Sequence, residues 1–305
     1  MENASIITVF TLSGLNQTMH YRGVLFSFTL LCYFVIVLLN VGLILTIILD
    51  ENLHEPMYIF LCNICISGLY GATGFYPKFL LDLLSGAHVI SYAGCLFQAF
   101  VIYSSVCCDF SILAVMAYDR YVAICRPLQY HSVMTRRRVC LLIVLSWLSP
   151  YICMSVLVGL TSRLQLCGSQ IQKLYCENWS VVKLACSSTI TNNIVGYIVI
   201  FFFFGHVIFI VCSYVYLIRS CLKSIESRGR FMQTCMPHLL SLLNVTVALF
   251  FDVLYTRYGS RDLPQSLQNF LALQFLIVPQ ILNPLIYGLK LSKVRKRILS
   301  YCEKF

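Results

Sequence analysis

The run Tyr92–Val115 is apolar apart from Asp109, and it passes without a break into Met116-Ala117-Tyr118-Asp119-Arg120-Tyr121-Val122-Ala123-Ile124-Cys125. About 20 apolar residues, at 1.5 Å of helical rise each, cross the hydrocarbon layer of a bilayer. The run is long enough to span, and its Asp–Arg pair falls where the chain would leave the lipid. There the carboxylate neutralises the guanidinium beside a low-dielectric medium, and the Arg can swing to another partner if the bundle changes shape.

Working outward, six more stretches read the same way: Val24–Leu49, Pro56–Pro77, Val139–Ser162, Leu184–Ile218, Phe231–Phe251 and Leu263–Leu289. Leu184–Ile218 exceeds one span, so its first residues read as loop. Backbone groups in lipid must be satisfied within the span, which makes these segments helices. The alternation of an outer-membrane barrel is absent. The expected fold is an all-α membrane protein, a bundle of seven transmembrane helices.

Composition agrees. The chain has 305 residues, of which 59% are hydrophobic and only 11% charged, with mean hydropathy +0.81. A soluble domain carries about a quarter charged residues, so disorder, collagen-like repeats and a water-soluble enzyme are excluded. Placing the N-terminus outside and the C-terminus inside gathers most of the 22 Lys and Arg on the inner side. They form three groups, Arg120–Arg138, Arg219–Arg230 and Lys290–Lys304, as positive-inside topology requires. The net charge of +10 therefore faces membrane lipid, not nucleic acid. Residues 1–23 are expected as an extracellular tail, 24–289 as the bundle and 290–305 as a cytoplasmic tail. No cleavable leader is expected, because the first residues lack a basic start and a short apolar core. Asn3 and Asn16 head glycosylation sequons in the tail. Asn178 heads a third in the long loop before the fifth span, and Asn244 a fourth inside the sixth span.

Most of the 16 cysteines sit in spans as small packing residues. Cys95, Cys167, Cys176 and Cys186 fall on the outer, oxidising side, where four cysteines allow three pairings and sequence alone chooses none. Cys302, near the inner surface, reads as a palmitoylation candidate or a free thiol.

The seventh span ends Pro279-Gln280-Ile281-Leu282-Asn283-Pro284-Leu285-Ile286-Tyr287. Its prolines free backbone carbonyls that Asn can satisfy. Together with Leu53-His54-Glu55-Pro56-Met57-Tyr58-Ile59-Phe60-Leu61, the Met116–Cys125 string, Ser213-Tyr214 and Thr234-Cys235-Met236-Pro237-His238, this pattern resembles the rhodopsin-like G-protein-coupled receptors. Within them it is similar to the odorant receptors, and looks closest to the fish-like branch for water-soluble odorants.

The resemblance implies bridges Cys95–Cys176 and Cys167–Cys186, and an inner switch of Asp119, Arg120, Tyr121, Tyr214, His238, Asn283 and Tyr287. Arg120 would face the C-terminal helix of a G protein α subunit, of the stimulatory olfactory type that raises cyclic AMP. An odorant would bind beneath the long loop, in the outer half of the third, fifth and sixth spans. Tyr103, Val106, Cys107, Ile198, Phe202, Phe250 and Val253 would face it. Thr256-Arg257-Tyr258-Gly259 is similar to a His-Arg-Phe-Gly stretch of the acid-sensing branch, in which the Arg anchors a ligand carboxylate. A guanidinium suits that geometry through its two-pronged donors, although Asp252 and Asp262 are alternative partners in sequence. The resemblance also implies a sodium pocket at Asp109, with Gly68 standing where the family usually carries an acid in helix two. Thr246 stands where many members carry a Tyr.

A transporter or channel is the alternative function. No repeat symmetry and no paired broken helices support it, and the acids Asp109 and Asp252 are too few for an ion path. A light sensor would need a mid-span Lys in the seventh span, and Lys290 lies at its inner edge. No cofactor is expected, and no nucleophile with an adjacent base suggests an enzyme.

Overall fold

The structure, a computed structural model, describes residues 7–15, 21–221, 236–258, 264–291 and 293–297. Among the described residues seven long helices form a bundle: α1 Arg22–Leu49, α2 Pro56–Ser85, α3 Tyr92–Cys125, α4 Arg136–Thr161, α5 Ile190–Cys221, α6 Met236–Tyr258 and α7 Gln265–Lys290. Six are long and apolar enough to cross a membrane, and α6 contributes the shorter apolar run His238–Leu249.

The helix ends depart from those of the apolar stretches because local chemistry, not hydropathy, sets them. Pro56 opens α2 at the first turn, where its missing N–H costs nothing. The helix continues past Pro77 until Gly86 takes φ 68° and returns its N–H to Asp82 O at 3.1 Å. Ser91 caps α3 by accepting from the Gly94 N–H at 3.1 Å, and Thr135 caps α4. α5 starts at Ile190, since Leu184–Cys186 are held in the loop by the Leu166–Ala185 bridge and by Cys186 N–H donating to Gln165 O.

α3 is the axis of the bundle: 78% of its apolar window is buried, against 17% for α5, which faces lipid along most of its length. The faces of α1, α4 and α5 that leave the bundle carry large apolar side chains such as Phe34, Leu148 and Phe201. Trp147 of α4 donates to Asn63 Oδ1 of α2 at 3.0 Å, so a buried indole N–H also fixes α4 in place.

One end of the bundle is closed by a lid. Its sheet has strand order β2–β1–β3, with β1 at Val9–Leu12, β2 at Val89–Ser91 and β3 at Gln170–Ile171. Phe10 pairs with Ile90 in antiparallel register, and Thr11 pairs with Gln170 in parallel. Phe10 and Leu12 point into a small core with Ile90, Leu96, Ile171 and Val181, while Val9 and Thr11 point out. Part of the expected tail is therefore built into the fold. At Gly14 the chain passes so close to Lys173 that a Cβ would lie 2.5 Å from its carbonyl carbon, and Asn269 of α7 donates to Gly14 O at 2.6 Å. Disulfides join Cys95 to Cys176 and Cys167 to Cys186, tying the lid to the start of α3 and to itself.

Candidate ligand cavity and switch

Beneath the lid lies a cavity of about 360 Å³, walled by α3, α4, α5 and α6 and roofed by Glu177 and the one-turn helix Asn178–Val182. Its walls are mainly apolar, including Cys107, Phe110, Leu157, Val199, Phe203 and Leu249, with a few polar groups set among them. Apolar walls with sparse polar anchors characterise small-molecule sites. Of the residues expected here, Tyr103, Cys107, Val253 and Arg257 line the cavity. Val106 faces a separate small void beside Asp109. Ile198 and Phe202 do not line the cavity: they are 60% and 48% exposed on the outer face of α5. Their neighbours Val199 and Phe203 take the inward positions, one residue further round the helix. The side chain of Phe250 lies outside the described residues, as do Asn3 and Asn16.

Arg257 is stacked between aromatic rings, and among the described residues it has no ion pair. Its guanidinium carbon lies 4.5 Å from the ring centre of Trp179 and 5.0 Å from that of Tyr197. Cation–π contact of this kind holds a guanidinium flat while leaving its edge available. Gly196 of α5 makes the room, because a Cβ there would lie 2.8 Å from Arg257 Nη2. Nη1 is buried and has no hydrogen-bond partner among the described residues. Trp179 Nε1 and Asn178 Oδ1, also buried and cavity-lining, have none either. Asn178 thus belongs to the roof of a cavity, a poor place for the glycan its sequon would attract.

Asp252, a possible partner of Arg257 in sequence, is engaged elsewhere. Tyr103 OH of α3 donates to its Oδ2 at 2.5 Å, Tyr175 OH to its Oδ1 at 2.9 Å, and Lys173 Nζ to Oδ1 at 3.2 Å. Lys173 also donates to Glu177 Oε2 at 2.6 Å, and Ser180 Oγ to Glu177 Oε1 at 2.7 Å. Burial alone would lower the Lys173 pKa, but Glu177 and Asp252 beside it hold it above the ordinary lysine value. Two carboxylates and one ammonium thus join the lid to α3 and α6. Nothing in the sequence reading assigned roles to Lys173, Tyr175 or Glu177. The available signal was local: Lys173 and Glu177 are four residues apart and bracket Cys176, whose bridge sets them against α3.

Asp109 borders a void of about 20 Å³ with Gly68, Gly71, Ser105 and Gln280. Asp109 Oδ1 and Gln280 Oε1 are buried there without hydrogen-bond partners among the described residues. Two acceptors facing one small space fit a small cation or a single water. Gln280 of α7 supplies an oxygen on the wall where Gly68 supplies none.

At the far end of the bundle Arg120 is ion-paired with Asp119, with Nε 2.9 Å from Oδ2, and Tyr130 OH donates to Asp119 Oδ1 at 2.8 Å. His238 of α6 has Nε2 2.9 Å from Leu113 O of α3 and stacks on Tyr214 of α5 with ring centres 5.3 Å apart. Ser241 Oγ donates to Asn283 Oδ1 at 2.7 Å, joining α6 to α7, and Tyr287 is buried in the same core. Tyr121 stands apart, with its ring 6.0 Å from the Arg126 guanidinium. Arg120 is thus ion-paired with its chain neighbour, and His238 joins α6 to α3 at this end.

A seven-helix membrane bundle with a bridged lid, a ligand-sized cavity beneath it and a self-paired Arg at the opposite end defines a receptor of the rhodopsin-like G-protein-coupled class. The family is shown by comparison. A family model described as olfactory receptor matches residues 28–304. The chain is 37% identical to olfactory receptor 1D2 of Pan troglodytes over 301 residues, covering 94% of this chain and 92% of the relative. It is 34% identical to olfactory receptor 10G4 of Homo sapiens, covering 100% and 98%. The chain belongs to the olfactory receptor family. It is a multi-pass plasma-membrane odorant receptor, not an enzyme.

Proposed function

We propose that this receptor detects a carboxylate-bearing odorant through Arg257 and answers by activating a stimulatory, olfactory-type G protein that raises cyclic AMP. The observation that carries this is the Arg257 guanidinium, stacked on Trp179 and Tyr197 with Nη1 buried at the cavity wall and unpartnered among the described residues. A buried cationic donor without an acceptor is costly, and a ligand carboxylate would remove that cost by accepting two charge-assisted hydrogen bonds. In this topology the lid is extracellular, and residues 290–305 with the basic groups lie at the cytoplasmic leaflet. A ligand drives the switch only by binding the signalling state more tightly than the closed one. On activation, Arg120 leaves Asp119 and meets the G protein, while His238 leaves Leu113 O. Asp109 with Gln280 would hold a sodium ion that favours the closed state.

The test is Arg257→Ala beside Arg257→Lys in cells carrying an olfactory G protein, with surface receptor measured in parallel. Arg257→Ala is expected to abolish responses to short and medium carboxylic acids at unchanged surface level, and Arg257→Lys to keep a weakened response. Dose–response curves equal to wild type in both variants would remove the carboxylate role.

A further inference from the structure

The cavity has polar groups at two ends and little between them. At the lid end are Arg257 Nη1, Trp179 Nε1 and Asn178 Oδ1, and deeper along α6 is Thr246 Oγ1. All four line the same cavity, and none has a hydrogen-bond partner among the described residues. Thr246 is the informative one. Hydroxyls in membrane helices usually bond back to the carbonyl four residues earlier, and this chain follows that habit elsewhere. Thr46 bonds Gly42 O at 2.8 Å, Ser146 bonds Leu142 O at 2.8 Å, Thr161 bonds Leu157 O at 3.0 Å and Ser213 bonds Phe209 O at 2.8 Å. The Thr246 hydroxyl is buried and forgoes that bond.

Resting on the carboxylate reading of Arg257, we infer that the ligand is elongated and polar at both ends, with the carboxylate at Arg257 and a hydroxyl or carbonyl at Thr246. Eleven residues separate the two on α6, or about 16 Å of helix axis. Arg257 leans toward the N-terminal end of its helix and so down into the cavity, taking up about 6 Å of that distance. A hydrogen bond of about 2.8 Å at each end takes up about 6 Å of the remaining gap of about 10 Å, which leaves room for an extended chain of about four carbons. Leu249, Val253, Val199 and Phe203 line the stretch between, so the middle of the ligand is hydrocarbon. A plain acid of the same length would leave the Thr246 hydroxyl unsatisfied, and an acid with a terminal hydroxyl would not.

Butanoic acid and 4-hydroxybutanoic acid are the two probes, applied to wild type, Thr246→Val, Thr246→Ser and Arg257→Ala at matched surface expression. Wild type is expected to respond to the hydroxy acid at about tenfold lower concentration than to the plain acid, the worth of one buried hydrogen bond. Thr246→Val, which keeps the shape and loses the hydroxyl, closes that gap, and Thr246→Ser preserves it. The inference is overturned by a wild type that is silent to the hydroxy acid or shows no gap, and by a gap that survives Thr246→Val. Loss of both responses in Arg257→Ala alongside any of these would leave the carboxylate reading standing, whereas unchanged curves in Arg257→Ala would sink that reading as well.

Discussion

Tyr103 and Asp252 meet across the bundle, hydroxyl to carboxylate, at 2.5 Å. One residue is on α3, whose lower half carries Asp119 and Arg120. The other is on α6, whose lower half carries His238. The contact therefore couples, at the lid, the same two helices that the His238–Leu113 O contact couples toward the other end.

Removing that hydroxyl should loosen the closed state. A hydrogen bond to a charged group is worth about 2 kcal/mol, so Tyr103→Phe is expected to lower the thermal stability of purified receptor by about that amount and to raise ligand-independent G-protein activation several-fold. The activation is read per surface receptor. Tyr103→Phe with wild-type stability and wild-type basal activity would show that the contact does not restrain α6.

Lys173 governs how this cluster answers to pH. Its folded pKa is raised, so its contribution is complete at acidic and neutral pH and is lost only as alkaline pH rises through the raised value. Basal activity should be flat between about pH 5 and 8 on this account. In Lys173→Met, Glu177 and Asp252 face one another with no cation between them. Their repulsion should loosen the lid from α6, and basal activity should rise several-fold. Wild-type basal activity in the variant would contradict this assignment.

Gly196→Ala tests how Arg257 is held. The added methyl would lie 2.8 Å from Nη2, and the far end of a flexible side chain yields before the helix does. Alanine also favours the helix by up to about 1 kcal/mol. Surface expression should be unchanged or higher, while the concentration of acid needed for half-maximal response should rise about tenfold. A fall in expression with unaltered acid sensitivity would show that Gly196 serves packing alone.

His238→Leu removes the link to Leu113 O and the stacked partner of Tyr214. Basal activation is expected to increase, with the acid dose–response shifted to lower concentration, because a smaller bias must be overcome to reach the signalling state. A silent receptor at normal surface level would instead place His238 in the active conformation.

Much of this architecture was legible from residues alone. The seven apolar runs marked the helices, and the Met116–Cys125 string with Pro279–Tyr287 marked the family. What escaped did so for physical reasons. From Ile194 to Phe204 the chain is apolar on nearly every position, so no polar stripe records which way each side chain turns, and the inward face of α5 is Val199 and Phe203 instead of Ile198 and Phe202. Val9–Leu12 is too short to announce a strand, and its partners lie far along the chain. The Lys173–Glu177–Asp252 cluster joins a loop to a helix about 80 residues later, a distance over which no local pattern carries information.

The placement of β1 between β2 and β3 has a consequence for biogenesis. During synthesis β1 is complete first, and its parallel neighbour emerges only after four helices have been made. Until then Phe10 and Leu12 have no finished core, and β1 keeps an unpaired edge, the kind of surface on which nascent chains associate wrongly. Maturation of the lid is thus a late event, and the interval before it closes is when a folding helper in the secretory pathway would have most to protect.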